Sequence, residues 1–401
     1  MVKVAHVASV SGSLRYLLLN QMQSMRESGY EVVGISAPGP SVPVLKEAGI
    51  RHIAVPLTRR MTPLADLQAL FQLYRIMRHE RFIIVHGHTP KAELLGQLAA
   101  RLAGVPIVVD TFRGIYYRPD MNPLWRWLFL RMAKIAASCA NVILCQSRET
   151  MEMAVREHIC PPEKVRYLGN GIDLERFDPQ RVDPAAIQRK RLELGLPQGV
   201  PVVGFVGRLV AEKGVLDLLR AVPLVRKHVP EVRFVFVGAI DQDKDDAIDP
   251  ATIAAYKQSS GCIFAGAHTE MPEIYSLMDV FALPSYRESM PRSPMEAAAM
   301  HIPCVLTDIP GCREVVTPGY NGLLTPPGDA GALADALVTL LSDSGRARQM
   351  GVAGRAQALE NFDERVIFAR VKAEYARLLQ ERGLTAPKPA TADLVTSRVR
   401  A

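Results

Sequence analysis

Twelve short apolar runs, separated by stretches of helix length, constrain this chain more than any other feature. They fall at residues 2–8, 31–36, 82–85, 105–109, 142–145, 165–168, 202–206, 233–237, 262–264, 280–283, 304–307 and 322–324. Most are Val-, Ile- and Phe-rich without polar alternation, the pattern of strands buried on both faces. Helix-period segments lie between them, and such alternation folds into parallel sheets with helices on both faces. Twelve strands are too many for one comfortable doubly wound sheet and fit two of about six. The 401-residue length agrees with two domains of ordinary size.

The break is expected within 168–201. There Gly169-Asn170-Gly171-Ile172-Asp173 reads as a turn, followed by a polar, proline-bearing stretch, a charged helix at 185–194 and a fresh strand from Val202. A long helix is expected at 364–380, before Gly383. The tail 384–401, with Pro387 and Pro389 and little to bury, reads as disordered. The expected division is therefore 1–170, 171–363, a C-terminal helix within 364–383, and the tail. No internal repeat with a solenoid period is seen.

Apolar content of 48% with 22% charged residues reads as a soluble globular protein. No apolar run reaches the roughly 18–20 residues of a spanning helix. The strand-like start at Val2 implies no signal peptide. The six cysteines form no CxxC pair and sit in apolar contexts, so they read as buried free thiols in a reducing cytoplasm. Charge is uneven. Residues 1–170 hold 21 Lys and Arg against 12 Asp and Glu, a net of +9, and the remainder holds 27 against 29. A basic first half implies an anionic partner: a membrane surface, a lipid diphosphate or a nucleic acid.

The densest chemistry lies at Pro284-Ser285-Tyr286-Arg287-Glu288-Ser289-Met290-Pro291-Arg292-Ser293-Pro294-Met295-Glu296. Glu288 and the amides of Ser289 to Ser293 stand where a strand hands over to an alanine-rich helix, the place where open α/β sheets bind ligands. Helix N-termini favour anions. A carboxylate on the same turn suits a ligand with both hydroxyls and phosphates, which a nucleotide sugar has. The bland alternative for Glu288 and Glu296 is a pair of ordinary helix carboxylates. Earlier, Val206-Gly207-Arg208-Leu209-Val210-Ala211-Glu212-Lys213-Gly214 follows a strand and opens a helix at Val215. Gly207 permits a tight turn, and Arg208 and Lys213 project beside a helix N-terminus, good chemistry for a diphosphate. The spacing is not that of a P-loop, and a solvated basic turn is the alternative.

Three weaker signals lie in the first half. Ser9 to Leu14 is a small-residue loop where Gly12 would let backbone approach a phosphate or acceptor, though it is not GxGxxG. Val85-His86-Gly87-His88-Thr89-Pro90 ends a strand. Two histidines invite a metal, but no third ligand with sensible spacing appears, so none is expected. A hydrogen bond from histidine to a sugar hydroxyl or reacting centre, or a purely structural role, stays open. Trp125 to Lys134 is aromatic and basic and suits a membrane headgroup region, or equally a core-facing helix.

These segments occur in order with Asn170-Gly171-Ile172-Asp173, Thr307-Asp308-Ile309-Pro310-Gly311-Cys312-Arg313-Glu314 and Asn321-Gly322-Leu323-Leu324. With them nearly the whole chain resembles the retaining GT-B glycosyltransferases of family 4, which include bacterial lipopolysaccharide and capsule sugar transferases. The resemblance implies two Rossmann-like, doubly wound parallel-sheet domains facing a cleft, the first binding an acceptor and the second a nucleotide sugar. It implies a last helix crossing back to the first domain. It assigns Arg208 and Lys213 to the diphosphate, Glu288 to donor-sugar hydroxyls, Glu296 to the ribose and His88 to the neighbourhood of the donor sugar. Gly207, Ser289, Met290, Pro291, Arg292 and Gly12 would complete the donor site, and His86 and Arg113 the acceptor side. Ser289, His301 and Arg113 depart from the family pattern, where glycine, glycine and histidine are frequent; Arg113 bears on acceptor choice.

The implied reaction moves a sugar, by default from a UDP-sugar, to a glycan or lipid-diphosphate-linked glycan in cell-surface polysaccharide synthesis. The nucleotide sugar is a co-substrate, and no cofactor or metal is expected. No carboxylate pair is placed to hold Mg²⁺, the acidic run 241–249 reading as a loop. No carboxylate stands out as a nucleophile, so a same-face route is implied. A peripheral enzyme on the cytoplasmic face of a membrane follows, without nucleic acid, since stacking platforms and basic repeats are lacking. The alternative is a GT-B-fold nucleotide-sugar epimerase.

Overall fold

The computed structural model describes residues 1–58, 62–114, 121–240, 246–259 and 261–387. The chain divides into two compact units, Met1–Gly169 joined by the segment from Ile367 onward, and Asn170–Val366.

The first unit holds seven strands: β1 Lys3–Val10, β2 Glu31–Ala37, β3 Arg51–Ala54, β4 Ile84–Gly87, β5 Ile107–Phe112, β6 Val142–Cys145 and β7 Val165–Tyr167. All pairings are parallel, in the order β3-β2-β1-β4-β5-β6-β7. Along β1, Val4 and Ala8 face one core and Ala5 and Val7 the other, so the sheet is buried on both faces. β3 has no counterpart among the apolar runs. Its sequence Arg-His-Ile-Ala sits at the sheet edge with neither face fully buried, so no apolar pattern marks it.

Two boundaries change the reading of site residues. β1 continues to Val10 and helical structure begins at once at Ser11, so the expected loop is absent and Gly12 lies in a first helical turn. β4 and β5 end later than the apolar runs, which places His86 and Thr111 inside strands.

The second unit holds β8 Val202–Val206, β9 Arg233–Val237, β10 Cys262–Gly266, β11 Val280–Leu283, β12 Cys304–Thr307 and β13 Gly322–Thr325, all parallel in the order β10-β9-β8-β11-β12-β13. These are the six expected there. One continuous core surrounds this sheet, and at roughly 1.5–3 kcal/mol for each fully buried large apolar side chain it is the main support of the unit.

The last helix, Glu364–Glu381, starts in the second unit. From Ile367 it buries Ile367, Val371, Tyr375, Leu378 and Leu379 in the first unit's core, one stripe at helical spacing. Residues 388–401, most of the expected disordered tail, lie outside the described residues, as do 241–245 of the acidic run. All six cysteines are free and buried. Among the described residues no helix is long and apolar enough to cross a membrane.

Strand order reverses between β1 and β4 in one unit and between β8 and β11 in the other. Ligands of open parallel sheets bind beyond the carboxyl ends of such strands.

Candidate active site

At the carboxyl end of β8, the Gly207 N–H donates to the Val237 carbonyl at 2.9 Å. A 3-10 turn, Ala211–Lys213, then leads to Gly214, which caps helix Val215–Arg226 in the left-handed region at φ 70°. A Cβ on Gly214 would stand 1.9 Å from the Pro284 carbonyl oxygen. The basic turn therefore lies directly on the segment that leaves β11. Two more links join them: the Tyr286 N–H donates to the Glu212 carbonyl at 2.9 Å, and Arg287 pairs with the Glu212 carboxylate at 2.6 Å.

This contact brings Lys213 to Glu288. Lys213 Nζ donates to Glu288 Oε1 at 2.5 Å, and Ser285 Oγ donates to the same oxygen at 2.9 Å. Both charged side chains are mostly shielded, with 19% and 10% exposure, so the pair is far less screened than a surface ion pair. The segment after β12 backs the turn: a Cβ on Gly311 would lie 2.2 Å from the Ser289 carbonyl oxygen. Ser289 Oγ is buried without a partner, and the Met290 carbonyl accepts from Asn170 Nδ2 at 2.7 Å. Pro291 caps helix Arg292–Ala299 and makes no side-chain cap hydrogen bond. Arg292 reaches Glu364 at 3.4 Å, and Arg208 is half-buried beside Gly207. Glu296 has a different partner, the hydroxyl of the fully buried Tyr275, at 2.8 Å from its Oε2.

In the first unit the strand reversal gathers three histidines. His6 and His86 are direct neighbours in the β1–β4 register. His6 Nδ1 and His88 Nε2 are 2.8 Å apart, one donating to the other. His86 Nδ1 lies 2.7 Å from the Tyr375 hydroxyl and its Nε2 lies 2.6 Å from Thr111 Oγ1. Both nitrogens of His86 are thus engaged, and the ring braces the last helix on the sheet. One nitrogen of each histidine lies within 4.8 Å of the others, the one such group among the described residues with atoms near enough to share an ion. The third histidine of this group is His6, 82 positions before His88, which only strand pairing brings near. Burial holds all three rings neutral: His6 falls to about 3, and His86 and His88 fall well below the usual range, helped by neighbouring rings and by Arg113.

Two buried carboxyl groups lie close by. Asp110 pairs with Gly87 in the β4–β5 register, and a Cβ on Gly87 would lie 3.1 Å from the Glu93 Cα and 3.2 Å from Gln97 Nε2. Burial pushes Asp110 up to about 7, and it raises Glu93 well above the usual range with help from Asp110. Ser285, Tyr275 and His6 were not singled out from the sequence. Serine at a strand end, tyrosine in a helix and histidine in a strand carry no local signal.

Two parallel α/β units, each with its strand order reversing beside its first strand, make up the GT-B fold. Residues 200–343 match the family of glycosyl transferases group 1 and residues 15–176 match glycosyltransferase family 4. A GDP-mannose-dependent α-mannosyltransferase of Mycobacterium tuberculosis is 31% identical over 83% of this chain and 86% of the relative. The UDP-Gal:α-D-GlcNAc-diphosphoundecaprenol α-1,3-galactosyltransferase of Escherichia coli is 29% identical over 85% of this chain and 88% of the relative. The chain belongs to this glycosyltransferase family. The structure of Anabaena HepE in complex with UDP and glucose superposes with a TM-score of 0.81 at 20% identity, covering 94% of this chain and 100% of HepE, and shows the shared fold.

Proposed function

We propose that this glycosyltransferase moves a sugar with retention from a nucleotide sugar, by preference a UDP-sugar, to a lipid-diphosphate-linked glycan. The observation that carries the donor half is the Lys213–Glu288–Ser285 contact at the carboxyl ends of β8 and β11. It sets a cation for phosphate beside a carboxylate for hydroxyls. Ser289 Oγ, without a partner among the described residues, and the N-terminal turn of helix Arg292–Ala299 suit the same anion. Glu296, one turn along the helix, takes the ribose, with Gly207, Met290, Pro291 and Arg292 shaping the nucleotide site. The names of the relatives from Escherichia coli and from Campylobacter jejuni, both acting on diphospho-undecaprenol-linked sugars, support the acceptor class. His88 is assigned to the donor sugar as a neutral hydrogen-bonding group, Gly12 to the donor, and His86 and Arg113 to the acceptor.

In the proposed reaction the acceptor oxygen bonds the anomeric carbon on the face that the β-phosphate leaves. The C–O bond to that phosphate breaks, and its oxygen takes the acceptor proton. Arg208, Lys213 and the helix amides stabilise the growing phosphate charge, which grows most in the transition state. No metal is required in this scheme. UDP, GDP and their sugars are to be screened by thermal shift, since a bound donor raises stability by mass action. Lys213→Ala should then lower turnover by roughly 10²–10³-fold, with EDTA leaving wild-type turnover unchanged. Unaltered turnover in the variant would sink the assignment. An epimer formed from donor without acceptor would replace the transferase reading.

Membrane association on the cytoplasmic side is the second part of the proposal. Helix Pro123–Cys139 exposes Leu124, Trp125 and Trp127 to solvent, and Arg131 lies 5.3 Å from the Trp127 ring. Helix Pro63–Glu80 exposes Leu64, Leu67 and Phe71. Apolar side chains flanked by arginine on a basic unit suit an anionic bilayer.

A further inference from the structure

We infer that Tyr275 is a positioning residue for the donor, holding Glu296 so that one carboxylate oxygen stays aimed at the ribose. The inference rests on the ribose role of Glu296 proposed above. Tyr275 ends the short helix Met271–Tyr275, ahead of β11, and no part of it is exposed. Its ring meets Phe177 edge to face at 5.8 Å and Phe281 at 6.1 Å, which fixes where the hydroxyl stands. That hydroxyl lies 2.8 Å from Glu296 Oε2 and 3.1 Å from the Ser293 carbonyl. It has one proton and two acceptors, and the carboxylate is the stronger acceptor. Burial, with the charge of Glu296, pushes the phenol well above its ordinary range, so it stays a donor.

Glu296 itself is only half-buried. A glutamate with three free torsions would sample many directions, at an ordering cost of about 1–2 kcal/mol when a ligand freezes it. Tying Oε2 to a rigid ring removes that freedom before the donor arrives. The Ser293 contact anchors the same hydroxyl to the helix turn that precedes Glu296. Oε1, for which no hydrogen bond occurs among the described residues, is left to accept from a sugar diol. Preorganisation of this kind raises affinity without adding a contact.

The test compares binding of UDP and of its 2′,3′-dideoxy analogue to four proteins by calorimetry. They are the wild type, Tyr275→Phe, Glu296→Gln and the double variant. Tyr275→Phe keeps the ring and its packing. The expected result is a wild-type preference for UDP that Glu296→Gln abolishes. Tyr275→Phe should reduce that preference roughly five- to tenfold. The double variant should match Glu296→Gln, since both act along one path. Equal weakening of both nucleotides by Tyr275→Phe would mean a merely structural role and overturn the inference. An unchanged preference in Tyr275→Phe beside a lost one in Glu296→Gln would overturn it while leaving the role of Glu296 standing. An unchanged preference in Glu296→Gln would overturn both.

Discussion

Gly214 shows how one backbone position decides whether the proposed donor site can form. It adopts φ 70°, and any Cβ would strike the Pro284 carbonyl oxygen at 1.9 Å. The contact brings Lys213 within 2.5 Å of Glu288. Gly214→Ala must both strain the left-handed turn, by about 1–2 kcal/mol, and push the two motifs apart. A total loss of about 3 kcal/mol is expected from denaturant unfolding. Binding of the nucleotide should weaken further than stability alone explains. A variant with native stability and native affinity would show that the two turns need not touch. His301 presents the milder form of the same strain. It is a non-glycine residue at φ 63°, at a position where the family resemblance leads one to expect glycine, and its carbonyl lies where a Cβ on Gly351 would have to go.

At the level of elements, β4 and β5 carry ionisable groups of opposite response to pH. His6 of β1, His86 of β4 and His88 just after β4 are held neutral by burial, with folded pKa values below the unfolded value of about 6.5. The unfolded chain binds those protons first. Stability is therefore full above about pH 6.5 and falls as pH drops, down to about 3 for His6. Asp110 behaves in reverse. Its folded pKa is raised to about 7, so its contribution is full below the unfolded value of 3.8 and is lost as pH rises through 7. Asp110→Asn should remove this second loss and lessen the one from Glu93, whose pKa Asp110 helps raise. Its stability, measured by urea unfolding from pH 4 to 8, should rise relative to wild type as pH increases, by up to about 1.4 kcal/mol per pH unit. Parallel pH curves for the two proteins would show that Asp110 is ionised throughout that range.

For the whole molecule, the distribution of charge and of exposed aromatic side chains predicts where it works. The first 170 residues carry a net charge of +9, and Trp125 and Trp127 are 51% and 54% exposed. Flotation with vesicles of phosphatidylglycerol and phosphatidylcholine should enrich the protein at low salt and release it as salt rises, because surface attraction is screened within about 10 Å at 0.1 M salt. The double variant Trp125→Ala/Trp127→Ala should float less without losing stability, since exposed side chains contribute little to the fold. Absence of the wild type from anionic vesicles at low salt would remove the membrane from the proposed function.

Read alone, the residues determined what local pattern can determine. Apolar runs buried on both faces announced twelve of the thirteen strands among the described residues, and two parallel sheets, because a strand covered on both faces must be apolar throughout. Turn chemistry around Gly207, Lys213 and Glu288 pointed to a diphosphate and its sugar, because cations, amides and a carboxylate at strand ends suit few other ligands. What depends on register was decided only in three dimensions. β3 was invisible because an edge strand need not be apolar. His6 joined His86 and His88 only through pairing of β1 with β4. Tyr275 met Glu296 across 21 positions, and Ser285 turned its hydroxyl to Glu288 inside one loop. Local sequence sets which groups are available; side-chain contact across strands and helices, which no periodicity encodes, sets which of them act together.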